Sequence, residues 1–577
     1  MNNVFRSIIK SFPTIREIKI ALTLFTKREW IIFFIAIVIG LATAITLIYK
    51  INSRWSIEVP VPGGTLSEGI VGAPRFINPT LEISEADKDI TALVYAGLMR
   101  LDTTGNPVTD LAESYEISKD GLSYTIKLKE DIYFHDNSPV TVEDVLFTIQ
   151  VIKNPILKSP KRVSWEGVAV QKIDDRTIEF ILKKPFASFL ENLTIGILPA
   201  HLWNEIPVDQ MTFSELNTHA VGAGPYKITD IKKKSSGIIE SYSLAAFKKY
   251  SPDEPYIQRI NFSFFSSESE LVRALENGSV DSGSALSPIN AEKLSQSGLR
   301  LERTVLPRLF ALFFNQNKAP LFTDKSVMQA FTIAIDRNLL VNDVLGGYGI
   351  ATDSPIPKNK ESALVESFPS QEERFAEASS ILTKNGWAKN SEGIFEKKSK
   401  TGTTVLSFSI ATADNTELKK AAESIKTQLE AFGASVEIKI YDTGTLNQTI
   451  IRPREYEVLL FGQVISHDSD FFAFWHSSQR NDPGLNIAMY TNAKVDSLLE
   501  SGLKTLDQTL RDKNYGAFES EIKKDLPALF LYSPEFIYVV PKKLKGISLD
   551  HVTLGADRFL GVSKWYIETD TIWNIFK

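Results

Sequence analysis

Residues 119–149 read KDGLSYTIKLKEDIYFHDNSPVTVEDVLFTI. Tyr124, Ile126 and Leu128 alternate with Thr125, Lys127 and Lys129, the two-residue period of a strand with one buried face. Asp136-Asn137-Ser138-Pro139 supplies a turn, because each of these residues favours backbone conformations outside a ladder. Thr141 and Asp144 form a box-like helix start, after which Val142, Val145, Leu146 and Ile149 share one helical face. The stretch therefore predicts strand, turn and capped helix. It carries no catalytic chemistry.

Outward from this stretch, helical patterns over 326–345, 375–385, 416–432 and 492–506 alternate with short strand-like runs at 405–410, 436–440 and 458–461. That alternation is an α/β signal. At 577 residues the chain exceeds one ordinary core, so two or three domains are expected. No internal repeat or low-complexity tract interrupts it.

The opening sixty residues differ from the rest. Trp30–Tyr49, WIIFFIAIVIGLATAITLIY, carries no charge, and a helix of that length spans the ~30 Å of bilayer hydrocarbon. Arg6, Lys10, Arg16, Lys19, Lys27 and Arg28 precede it against only Glu17 and Glu29, which places the N-terminal side in the cytoplasm. A cleaved signal peptide is the competing reading, since Ala42-Thr43-Ala44 fits the small-x-small cleavage pattern. Residues 51–64, INSRWSIEVPVPGG, read as a short extended linker, because prolines and paired glycines discourage helix. Of 64 Lys and Arg and 70 Asp and Glu, eight and two fall in residues 1–54, leaving 56 and 68, a net −12, beyond them. Such an acidic exported part argues against nucleic-acid binding.

Enzyme signatures are missing. The six histidines (His135, His201, His219, His467, His476, His551) are scattered without the i,i+4 spacing of a metal helix, and there is no nucleophile elbow or phosphate loop. With no cysteine, thiolate metal sites, disulfides and a lipidated-cysteine tether are excluded. Asp174-Asp175 before Arg176 reads as a turn.

The 119–149 segment resembles the signature of family 5 extracellular solute-binding proteins, the peptide, dipeptide and nickel receptors of bacterial ABC importers. That signature runs roughly Y-T-F-x-L-R-x-x-V-x-F-H-D-G-x-P-x-T-A-x-D-V. Tyr124-Thr125-Ile126, Leu128, Phe134-His135-Asp136, Pro139, Thr141 and Asp144-Val145 stand in matching places. Asn137 replaces the turn glycine, a tolerable change because asparagine also visits left-handed conformations. Further matches follow in order: Gly63-Gly64-Thr65-Leu66, Ile77-Asn78-Pro79, Leu111-Ala112-Glu113-Ser114, Leu198-Pro199-Ala200-His201-Leu202 and Val221-Gly222-Ala223-Gly224-Pro225-Tyr226. The glycines of the last word are expected to supply freedom in φ. Ala334-Ile335-Asp336-Arg337 and Phe474-Trp475-His476 continue the series, while Met328 stands where the pattern has arginine.

The resemblance implies two α/β lobes of periplasmic-binding-protein type joined by a hinge, with an extra subdomain in the first lobe; the uncharged apolar run adds one N-terminal transmembrane helix before them. The expected division is a cytoplasmic segment 1–29, an anchor 30–49, a linker 50–63, lobe I from 64–99 with 205–305 and 530–577, an inserted subdomain 100–204, and lobe II 306–529. It also implies a cleft closing on ligand, with an aspartate of the second lobe against a peptide ammonium. Asp468 is the first choice for that role and Asp470 the second; either could instead cap the segment that follows. Phe461, Phe472 and Trp475 are candidate apolar cleft walls, although such spacing also suits a core. Glu82, Ile83, Ser84 and Glu85 are candidates for the opposite wall through their backbone, Ser84 doubling as a helix N-cap.

The expected protein is a monomeric receptor, extracytoplasmic and tethered to the cell membrane. It would capture oligopeptides and present them to an ABC permease with its ATPase subunits, without cofactor or bond-making chemistry. A non-transport sensor or assembly protein on the same fold, or a receptor for a metal chelate or other small solute, is the alternative.

Overall fold

The computed structural model describes residues 16, 19–20, 23–250, 253–358, 369–400, 402–466, 469–505 and 507–573. Its chain contacts divide it into two units, Met1–Val61 with Glu568–Lys577, and Pro62–Ile567.

In the smaller unit, the apolar run lies within a 29-residue helix, Lys27–Trp55, opened by a capping box between Thr26 and Glu29. None of its apolar window is buried. The expected extended linker is corrected here. Residues 51–55 continue the helix, because the first breaker is Pro60. Ser56–Pro60 then forms a strand paired antiparallel with Thr569–Trp573, Ser56 opposite Trp573 and Pro60 opposite Thr569.

The larger unit is organised around one strand, Ala528–Val540, all thirteen residues of which are buried. Its first half lies against Arg308–Phe314, which pairs with Val458–Val464 and, through it, with Ser407–Ala413 and Ser435–Tyr441. Its second half pairs with Arg300–Val305 and with Ser282–Ser284, which leads to Thr65–Val71, Arg259–Phe265, Ile239–Ala246 and Tyr226–Lys233. One strand thus belongs to two sheets. The crossover falls at Pro534, whose carbonyl accepts from Leu306 N–H at 2.9 Å, while Pro307 interrupts the neighbouring strand and accepts from Ile465 N–H at 2.8 Å. Two prolines at one level remove two ladder donors, so the sheets part there.

Each sheet covers its own core. One core gathers Leu66, Ile90, Tyr242, Phe262, Tyr538 and Trp565; another gathers Phe313, Phe331, Ile425, Leu460, Trp475 and Phe530. A third, with Tyr124, Phe134, Val145, Trp165 and Phe180, is built from residues 96–197 and Ala223 and carries the signature segment. That segment folds as read. Tyr124, Ile126 and Leu128 are buried in the strand Ser123–Leu128, Asn137 has φ 71°, and Val142–Lys153 is a helix with a Thr141–Asp144 capping box. After Ser84 the chain forms the helix Glu85–Val94, which buries Ile90, Leu93 and Val94. The long pattern over 326–345 is two helices, Lys325–Ala334 and Arg337–Leu345. Asp336 caps the second, and Arg337 Nε donates to Phe530 O at 2.8 Å.

The signature's His135 ties two sequence words together. Its Nε2 lies 3.0 Å from Gly224 O, and Gly222 N–H donates to Nδ1 at 3.4 Å, so a neutral ring with its proton on Nε2 satisfies both. The glycines themselves need close approach and not unusual φ. A Cβ on Gly222 would sit 2.1 Å from Val94 O, and one on Gly224 2.5 Å from Leu93 O.

The chain's early and late parts are joined by a buried ionic cluster. Arg558 donates from Nη1 and Nη2 to Asp89 at 2.8 and 2.7 Å, and from Nη2 to Glu68 at 3.0 Å, with all three residues buried. Tyr538 OH adds a bond to Glu68 at 2.9 Å, and Ser282 adds another. Burial pushes both carboxyls up, opposed chiefly by the guanidinium between them. Arg558→Leu is therefore expected to destabilise the protein by ~3–5 kcal/mol, because two desolvated carboxylates lose their cation. Adding Glu68→Gln and Asp89→Asn should recover part of this loss in urea midpoints. Burial also holds the His135 imidazole down at about 4. The unfolded ring takes its proton near pH 6.5, so this group's contribution is complete above that pH and is lost as pH falls toward 4, by about 3 kcal/mol in all. His135→Asn should flatten that part of the stability profile.

Candidate functional site

A cavity of about 700 Å³ opens between the cores. Pro79, Glu82, Thr91, Tyr95 and Lys161 line one side, and Ser466, Gln508 and Arg511 face them from the second-sheet side. At the rim, Ala187 N–H donates to Leu503 O at 3.3 Å. A smaller cavity of about 410 Å³, lined by Pro307, Ile465, Phe471 and Tyr515, shares Ser466 with the first. The loop following strand Val458–Val464 thus reaches both.

The first wall is set by a buried carboxylate. Asp87 Oδ1 accepts from Arg75 and Phe76 N–H at 2.6 and 2.9 Å, and Oδ2 from Ile83 and Ser84 N–H at 3.3 and 3.0 Å. Ser84 Oγ accepts from Asp87 N–H at 3.1 Å, completing the capping box of helix Glu85–Val94. Asn78 braces the same loop, its Oδ1 accepting from Thr80 N–H at 2.9 Å. Four donors bound to one carboxylate fix 75–84 against a helix N-terminus, where negative charge is favourable.

This geometry revises the expectation for Glu82, Ile83, Ser84 and Glu85. The N–H groups of Ile83 and Ser84 are engaged by Asp87, and that of Glu82 by Asn78 O at 2.9 Å. Ile83 is 67% exposed and Glu85 pairs outside with Lys88 at 2.8 Å. Of the four, Glu82 lines the cavity, through its side chain. Its carboxylate meets Lys161 Nζ at 3.1 Å, and burial pushes its carboxyl up.

On the other side, Trp475 is 1% exposed and packs on Phe530, Phe518 and Tyr490, with ring centroids 5.8, 6.3 and 6.4 Å away. It is a core residue and not a cleft wall, because helix Ser469–Trp475 turns it inward. Phe461 packs half-buried on the same core, and Phe472 stacks on His476 at 4.1 Å. Asp470 Oδ2 accepts from Ser466 N–H at 2.7 Å and closes the loop between strand and helix. Asp468 and His467 lie outside the described residues.

Several wall groups had no signal in the sequence. Lys161 stands on one polar stretch and Gln508 with Arg511 on another, and the two come to one cavity only in the folded chain. Further along the cavity, Tyr250 OH donates to Asp110 at 3.4 Å, and burial pushes the Asp110 carboxyl up to about 7 against the charge of Arg100. Thr91 Oγ1, Tyr95 OH and Asp110 Oδ1 are buried without a hydrogen-bond partner among the described residues. A wall with open polar valences and both signs of charge suits a polar or zwitterionic guest, held by hydrogen bonds that replace those to water. Among the described residues, no group of three His, Cys, Asp or Glu could hold a metal ion.

Known proteins agree with this architecture. The family model for bacterial extracellular solute-binding proteins, family 5 (middle region), matches residues 106–483. The oligopeptide-binding protein AppA of Bacillus subtilis is 28% identical over 506 residues, which cover 86% of this chain and 91% of that protein. Its solved structure with a nonapeptide superposes with a TM-score of 0.64 at 26% identity, over 88% of this chain and all of the other. NikZ of Campylobacter jejuni, solved with Ni(L-His), gives 0.65 at 26% identity over 87% and 99%. With the matched family region spanning most of a mixed α/β chain of periplasmic-binding type, the protein belongs to the family 5 bacterial extracellular solute-binding proteins.

Proposed function

We propose that this protein is a membrane-anchored receptor that captures oligopeptides in the cavity between its two sheet cores and delivers them to an ABC import permease. The observation that carries the reading is a cavity of mixed polar and apolar lining with walls from both cores, which share the one strand Ala528–Val540. Cores joined at so narrow a level can rotate as bodies about Pro307 and Pro534, so a guest bridging them shifts the population toward the closed form. Relatives supply the chemical class: AppA of Bacillus subtilis was solved with a nonapeptide and DppA of Helicobacter pylori with the peptide STSA. No bond is made or broken in this scheme, and energy enters through separate ATPase subunits.

Within the cavity, Arg511 and Lys161 are placed to meet a ligand carboxylate, and Glu82 to meet a donor. The strand-to-helix loop at 465–470 supplies the ammonium partner, with Asp468 first. It lies two residues beyond cavity-lining Ser466, whereas Asp470 is committed to the Ser466 N–H. Anchoring rests on the uninterrupted apolar helix Lys27–Trp55 and the basic residues before it. A chelate receptor is the second reading, favoured by the likeness to NikZ, solved with Ni(L-His).

Mass spectrometry of small molecules released on denaturing the purified protein should find intact peptides. A metal chelate in their place would support the second reading. In calorimetry with such a peptide, Asp468→Ala should weaken binding by at least ~1 kcal/mol, because a desolvated ammonium loses its charged partner. An unchanged affinity would remove Asp468 from the site.

A further inference from the structure

The apolar helix does not stop where its apolar run stops. Beyond Tyr49 it continues to Trp55, about 9 Å further at ~1.5 Å per residue, a distance comparable to the thickness of a headgroup layer. Asn52 and Trp55 therefore stand at headgroup depth if Trp30–Tyr49 fills the hydrocarbon. At that level the chain's late segment returns. Ser56 lies opposite Trp573 in the Ser56–Pro60 and Thr569–Trp573 pair, and Trp573 Nε1 donates to Asn52 Oδ1 at 2.8 Å.

The distribution of side chains over this small unit is graded. Trp55 and Trp573 gather at the helix end, 51% and 45% exposed, beside the cations Lys50 and Arg54. Glu568 and Asp570 lie toward the opposite end of the pair, near Pro60 and Val61. That far end is up to ~13 Å away at ~3.3 Å per residue. Indole rings with a polar edge and an apolar body favour the boundary between acyl chains and headgroups, and Lys and Arg favour the phosphates. Exposed tryptophans in continuity with a bilayer-spanning helix need a cover of that kind.

We propose that the strand pair Ser56–Pro60 with Thr569–Trp573 is a lipid-docking platform, with Trp55 and Trp573 seated in the outer-leaflet interface. This inference rests on the anchor reading above. Two chain connections, Val61–Pro62 and Ile567–Glu568, then join the membrane-seated unit to the binding unit where a simple tether would provide one. Doubling the connection reduces the conformational freedom of the tether and raises the effective concentration of the receptor near a permease in the same bilayer.

The chain has no cysteine, so one introduced thiol labels cleanly. Full-length Ile572→Cys protein carrying an NBD fluorophore is reconstituted in phosphatidylcholine vesicles, with and without lipid brominated near the headgroup boundary. Bromolipid quenching is expected at position 572 and should fall at least threefold when Trp55→Ser and Trp573→Ser are added. Absence of quenching, or quenching unaffected by the tryptophan changes, in protein that resists alkaline extraction overturns the platform and leaves the anchor standing. Protein that alkaline extraction releases, with residues up to the Ala42-Thr43-Ala44 site missing by mass spectrometry, overturns the anchor and the platform together.

Discussion

One strand shared by two sheets is the constraint on which the binding unit depends. Thirteen consecutive buried residues, Ala528–Val540, give each sheet a central partner, so neither core is complete without it. Such a strand must change allegiance somewhere, and it does so at Pro534, level with Pro307 on the neighbouring chain. Proline supplies no N–H to a ladder, so the level that unites the cores is also one at which the ladder is interrupted. The cavity follows from this arrangement, because two cores joined along a narrow line leave a cleft beside it.

Polar groups, more than apolar ones, fix the wall of that cleft. Asp87 gathers four N–H groups and holds 75–84, while Arg558 joins Glu68 and Asp89 across the first core. Buried carboxylates of this kind are expensive to desolvate and hold only when fully partnered, which makes their positions well defined. Glu82 is thereby presented to the cavity from a rigid loop, where its carboxylate meets Lys161 from a separate part of the chain. His135 plays a comparable part elsewhere, binding the Gly222–Gly224 crossing while remaining neutral. The most recognisable segment of the chain is therefore a brace within the third core, away from the cavity wall.

Much of the fold was legible because its signals are local. The strand Ser123–Leu128, the turn at Asn137 and the Thr141 cap each depend on residues a few places apart, and all appear where alternation and capping put them. The site was less legible. Trp475 and Phe472 have the composition of a cleft wall, but helical phase turns the first into the core and stacks the second on His476. Ile83 and Ser84 were plausible backbone donors until Asp87, a single acidic residue in a helix's first turn, proved to occupy them. Gly222 and Gly224 read as flexible points, whereas close contact with the backbone of Leu93 and Val94 excludes a side chain there.

The amino-acid sequence alone determined the class of protein, the membrane-length apolar run and the order of its elements, since periodicity, caps and charge are properties of neighbouring residues. Only the tertiary structure decided which polar side chains face the cavity and which strand the two sheets share. It likewise brought Trp573 back to Asn52 at the end of the helix. These are contacts between residues hundreds of positions apart, and burial, which selects among them, exists only once the whole chain has packed.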